Sequence, residues 1–139
     1  MMINEMAIEQ LLVMEDWELA RQVIVDADQL EDVRIELEDQ FQVDLNSLET
    51  IFDLPDASLK KIKEILISKV LLLVQSRRQD LRRLICFELD YCNYKKSRKA
   101  EIAAYLVSAL DIVVTGGAAS LLALLIKQEY FDKLCQCPK

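Results

Sequence analysis

The chain reads as all-α, a compact bundle of six to eight helices. Three observations predict it. Only four of its 139 residues are glycine or proline, namely Gly116, Gly117, Pro55 and Pro138, whereas the turns of β-rich folds draw heavily on both. Apolar residues recur at spacings of three and four along most of the length. Hydrophobic residues make up 53% and charged residues 29%, enough for one domain, residues 1–139, to bury a real core.

Taken in order, residues 4–25 predict one or two helices, with Ile8, Leu11, Leu12 and Leu19 at helical spacing and Asp16 placed to cap a second helix at Trp17. "RQVIVDA" is β-branched, but a strand there would have nothing to pair with. Asp28-Gln29-Leu30-Glu31 fits a capping box and opens a helix with Leu30, Val33, Leu37 and Phe41 on one face. The opposite face is acidic: Glu31, Asp32, Glu36, Glu38 and Asp39. Asn46-Ser47-Leu48-Glu49 opens a short helix ending near Leu54, before Pro55. Asp56 or Ser58 caps a long helix through Leu59, Ile62, Ile65, Leu66, Val70 and Leu73. Its run "VLLLV" is apolar on nearly all sides, which places it in the middle of the bundle. Lys60, Lys61 and Lys63 in its first turns oppose the helix dipole by a few tenths of a kcal/mol each, and the acidic 28–53 region is their nearest partner. Ser76-Arg77-Arg78-Gln79 fits a third box, leading into Leu81, Leu84, Ile85 and Leu89. A polar connection at 93–99 precedes helices over 98–114 and 118–135.

The run from Ile102 to Ile126 carries one charge, Asp111, and both glycines. Its length permits a bilayer span, which takes about 20 apolar residues. Asp111 near its middle would cost roughly 2.5–3.5 kcal/mol there, and the part without charge, 112–126, suits a buried helix better. The expected structure is a buried hairpin breaking at Gly116-Gly117, with Gly116 ending one helix and Gly117 turning the chain. Small residues at Ala100, Ala104 and Ser108 and at Thr115, Ala119 and Ala123 would let its arms approach closely. Asp111 would then be a buried carboxylate in need of a partner.

Function is less legible. Histidine is absent, which removes the commonest general base, zinc ligand and pH switch together. No catalytic residues are identified. "VTGGAAS" matches neither a P-loop nor a dinucleotide fingerprint, so no cofactor is expected. The cysteines, Cys86, Cys92, Cys135 and Cys137, are spaced C-x5-C and C-x-C, which fits no standard zinc knuckle, and no metal is expected. No basic and apolar leader follows Met1, so the expectation is a cytoplasmic protein with reduced thiols. "DQLEDVRIELEDQFQVDL" at 28–45 resembles the second-helix region of acyl carrier proteins. Gln29 stands where the carrier's serine would be, so the resemblance implies no attached phosphopantetheine.

Charge is the strongest remaining signal. Residues 1–59 carry −14 and residues 60–139 carry +7, which together give the net −7. The basic set is Arg77, Arg78, Arg82, Arg83, Lys95, Lys96, Arg98 and Lys99, with Tyr91 and Tyr94 interleaved. Its composition resembles a nucleic-acid or lipid footprint, but the net charge argues against nucleic acid. Pairing with the acidic half, within one chain or between two, is the leading expectation. The chain is therefore read as a non-catalytic adaptor or small subunit that binds a protein partner or forms a homo-oligomer. The alternative is a membrane-associated effector that exposes 102–126 beside the basic "KKSRK" at 95–99.

Overall fold

The computed structural model describes residues 5–94 and 99–138. Among them are ten α-helices and no strand. In chain order these are α1 (Glu5–Leu12), α2 (Asp16–Asp26), α3 (Glu31–Phe41), α4 (Leu48–Phe52), α5 (Asp56–Ser76), α6 (Arg78–Leu81), α7 (Tyr91–Tyr94), α8 (Lys99–Leu110), α9 (Ala118–Lys127) and α10 (Tyr130–Cys135). A 3₁₀ turn (Asp28–Leu30) leads into α3, and a π-helical stretch (Arg82–Glu88) joins α6 to α7. The fold is all-α, as the sequence predicts, with the long expected segments broken into more and shorter pieces. "RQVIVDA" is helical through Asp26.

α9 is the central helix. Ala118, Ser120, Leu121, Leu122, Ala123, Leu124 and Leu125 are all buried, so nearly every side of it meets protein. It packs against α1, α2, α8 and α10. Its buried hydroxyl, Ser120, donates to Gln22 Oε1 at 2.8 Å, so the polar group is satisfied inside the core. α5 had been expected in this place. Instead it buries one stripe, Ile62, Leu66, Val70 and Val74, at i, i+4 spacing against α2 and α3. Its other face stays open, and Leu72 is 61% exposed. An all-round apolar sequence thus permits a central position without requiring one.

The capping boxes do not form. No side-chain cap bond is made at the starts of α3, α4, α5 or α6. At the first box a tertiary partner takes the groups instead. Gln29 donates from Nε2 to Thr115 Oγ1 at 2.9 Å and accepts from Thr115 N at 2.7 Å. Asp28 N donates to Thr115 O at 3.1 Å. These bonds tie the start of the 3₁₀ turn to the loop before α9. Ser76 Oγ turns back to Leu73 O, its own helix, rather than forward.

The hairpin of α8 and α9 exists, but the glycines play a different part. α8 ends at Leu110, well before them, and the connection runs over 111–117. Gly117, at φ +78°, is the residue before α9 and starts it rather than ending α8. Gly116, at φ +93°, lies against α2: a Cβ there would stand 2.3 Å from Asp26 O. The pair is glycine because the backbones of the loop and of α2 touch. Asp111 is exposed, not buried, because α8 turns at its end and delivers the carboxylate to the surface. No partner inside the core is needed. No described helix is long and apolar enough to cross a membrane.

The cysteines overturn the expectation of free thiols. Cys86–Cys135 and Cys92–Cys137 are disulfides with Cα–Cα distances of 5.2 and 5.3 Å, inside the ordinary range. Their sequence spacing gave no hint of this, since each bridge joins residues brought together only by tertiary structure.

Candidate interaction faces and the cleft at Asp111

The acidic face is built on α3. The helix buries Leu37 and turns Glu31, Asp32, Glu36 and Asp39 outward, all exposed. Ile35 lies among them and is 52% exposed. At helical spacing it is flanked by Glu31 and Asp32 on one turn and Asp39 on the next. Glu38 leaves the face. Its Oε1 takes a 2.9 Å ion pair from Arg34, and its Oε2 accepts from Leu45 N at 2.9 Å. Glu38 therefore fastens α3 to the loop that follows it. A sequence pattern places Glu38 with the other acids because it cannot see that loop fold back.

The basic face is a π-helical surface. Bonding from i to i+5 brings residues five apart over one another, and Leu89 N donates to Leu84 O at 3.0 Å in that pattern. Two side-chain pairs follow the same spacing. Arg83 meets Glu88 at 3.3 Å, and the Arg82 guanidinium lies 5.8 Å from the Phe87 ring centre. Phe87 is 69% exposed. Arg77 pairs with Asp80 at 3.2 Å, and Arg78 faces Tyr130. The Arg77–Asp80 and Arg83–Glu88 pairs are exposed, so each is worth about 0–1 kcal/mol and exchanges easily for an outside partner. Lys95, Lys96 and Arg98 lie outside the described residues, as does the side chain of Lys99.

Between described residues the two halves are linked by one ion pair, Lys127 with Asp16 at 3.0 Å. The Lys127 ammonium also donates to Met14 O. Lys63 reaches Trp17 instead of an acid, 5.0 Å above its ring. Trp17 donates to Glu15 at 2.6 Å and packs edge-on to Phe52 at 5.7 Å. The expected neutralisation of the acidic half by the basic half is therefore small within the described chain, and the outer acids of α3 form no ion pair among the described residues.

A cleft of about 480 Å³ lies between α8, the end of α2 and the start of α9. Ala104, Ser108, Asp111, Asp26, Gly116 and Ala119 line it. Ala104 and Ser108 of α8 thus floor an open cleft beside the packed pair of α8 and α9. Asp26 and Asp111 are both exposed at its rim. Asp111, Gly116 and Gly117 do come together here, but as a loop wall, not as a buried polar hinge.

At the opposite end of α9 two tyrosines are perturbed. Burial, then the charge and hydrogen bond of Asp132, push the Tyr91 hydroxyl up to about 12 from its ordinary 10.0. Burial raises Tyr130 as well, and Arg78 partly offsets it. The sequence carried no signal for either, because both depend on α10 docking beside α7. Against this geometry, no known family's sequence profile matches the chain, and no curated protein or solved structure is significantly similar to it.

Proposed function

We propose that the protein is a non-catalytic, cytoplasmic interaction module, an adaptor or small subunit, whose acidic α3 face docks on the basic π-helical face of a second copy. The observation that carries this reading is the outward row Glu31, Asp32, Glu36 and Asp39 around the exposed Ile35. The basic face offers the complement, with the Arg82 guanidinium over the exposed Phe87 and Arg83 on the same stretch. Charge complementarity of this kind steers association and sets register, and one apolar anchor on each side supplies contact area. One face meeting the other is a head-to-tail contact, which closes into a ring or continues as a chain of copies.

Sedimentation at low and high salt tests this. Association is expected at about 20 mM salt and should be lost near 0.5 M, where charges are screened within a few ångströms. Glu31→Lys with Glu36→Lys and Asp39→Lys should abolish it at low salt. Adding Arg82→Glu and Arg83→Glu should restore association in a mixture of the two variants. A protein that stays monomeric at low salt rejects the reading. The alternative, a membrane-acting effector exposing 102–126, finds little support, because α9 is the centre of the core and its release would dismantle the fold.

A further inference from the structure

The helix α10 is tied down twice, at Cys135 to Cys86 in the π-helical stretch and at Cys137 to Cys92 in α7. Its own sequence and geometry hold it poorly. It is six residues long, and both flanking residues, Glu129 at φ +54° and Gln136 at φ +51°, are left-handed without being glycine. Asp90, the residue before α7, is left-handed too, at φ +57°. Tyr130 Oη is buried without a hydrogen-bond partner among the described residues. Against these costs stand two buried side chains, Phe131 and Leu134, at 1% and 3% exposure, with the Phe131 ring 5.7 Å from that of Tyr91 and a hydrogen bond between Asp132 and Tyr91. A helix this short has little stability of its own.

From this balance we infer that the paired cystines are a redox-operated latch, which holds α10 over the π-helical stretch and α7 when oxidised and releases it when reduced. All four cysteines are half-buried, within reach of a small dithiol. A thiolate of the dithiol attacks one cystine sulfur, forms a mixed disulfide and expels a cysteine thiolate, which takes up a proton. The second thiol of the reductant closes on the first, giving the cyclic disulfide of the reductant and a second cysteine thiol. Two electrons and two protons reach the protein per bridge. With both bridges open, the left-handed residues and the unsatisfied hydroxyl are relieved when α10 lifts away. Lifting uncovers Phe131, Leu134 and the surface beneath them, which includes the π-helical stretch and the end of α9. In a reducing compartment, bridges of this kind serve as redox sensors more often than as permanent staples. The latch and the docking of copies share the π-helical stretch, but thiol count and exchange across 130–135 are read on the single chain, so the two readings are tested separately.

The test uses the full chain, before and after treatment with dithiothreitol. Alkylation and mass measurement count the thiols, and hydrogen exchange follows each segment while far-UV circular dichroism follows the whole. The oxidised protein should show no free thiol, and the reduced protein four. Exchange across 130–135 should then rise at least tenfold, with the dichroism and the exchange of α2 and α9 unchanged. The variant combining Cys86→Ser, Cys92→Ser, Cys135→Ser and Cys137→Ser should match the reduced protein without any reductant. Four free thiols in the oxidised protein, unchanged exchange in α10 on reduction, or loss of structure throughout the chain would each overturn the latch.

Discussion

At Gly116 the conformation and the space agree. The φ of +93° is unfavourable for any side chain, and a Cβ would meet the backbone oxygen of Asp26 at 2.3 Å. A carbonyl in a helix cannot move aside cheaply. Gly116→Ala should therefore lose at least about 2 kcal/mol in urea unfolding. Gly117→Ala meets its nearest atoms at 3.3 Å, closer than ordinary contact but without the backbone clash at 116, and should lose less, about 1 kcal/mol. If the two losses are equal, close approach to α2 is not the reason for the glycine at 116. Glu38 makes a second contrast. Glu38→Ala strands Arg34 and the Leu45 amide, and should cost about 1–2 kcal/mol. Glu36→Ala, fully on the surface, should fall within about 0.5 kcal/mol of the parent. Both are glutamates in one acidic run, and no property of the run separates them. The difference lies in a loop that returns to one and not the other.

Helices divide by how many faces they bury. α9 is covered nearly all round and α5 along one stripe, although both read as strongly apolar in sequence. Leu66→Ala in the α5 stripe should cost about 2–4 kcal/mol, and Leu72→Ala on its open face under about 0.5 kcal/mol; thermal or urea unfolding of the two variants decides it. Periodicity made the all-α class legible, together with the break between α1 and α2, the acidic face of α3 and the hairpin of α8 with α9. It did not reveal which apolar helix is central, because that depends on how many neighbours surround it. Nor could it reveal the π-helical turn, whose i, i+5 pairs look like ordinary charge and aromatic content until the backbone widens. The junction of α7 with α10 has its own signature. The folded pKa of Tyr91, about 12, lies above the ordinary 10.0 of an unfolded chain, so folding favours the neutral phenol. That stabilisation is complete below pH 10 and falls as pH rises toward 12, where the unfolded chain releases its proton first. Tyr91→Phe should flatten the alkaline fall in the denaturation midpoint, and an equally steep fall in the variant would place its cause elsewhere.

The opposite charges of residues 1–59 and 60–139 suggest two parts, but the packing does not follow that division. One continuous core runs from Ile8 to Leu134. α2, from the acidic half, packs against α9, from the basic half, and the Gln29–Thr115 and Gln22–Ser120 bonds cross the same boundary. A core shared this way makes each half's apolar face depend on the other, so neither has a folded state to retain alone. Unfolding in urea with both bridges intact should then be a single transition. The chain supplies its own reporters: its one tryptophan, Trp17, lies in the acidic half, and its four tyrosines all lie in the basic half. Trp17 fluorescence and the near-ultraviolet dichroism of the tyrosines should give the same midpoint and the same slope. Raising the salt should shift both curves together by little, since among the described residues one ion pair crosses the halves. Two separated midpoints would mean that the halves fold as independent units, and the continuous core would then not be what holds the molecule together.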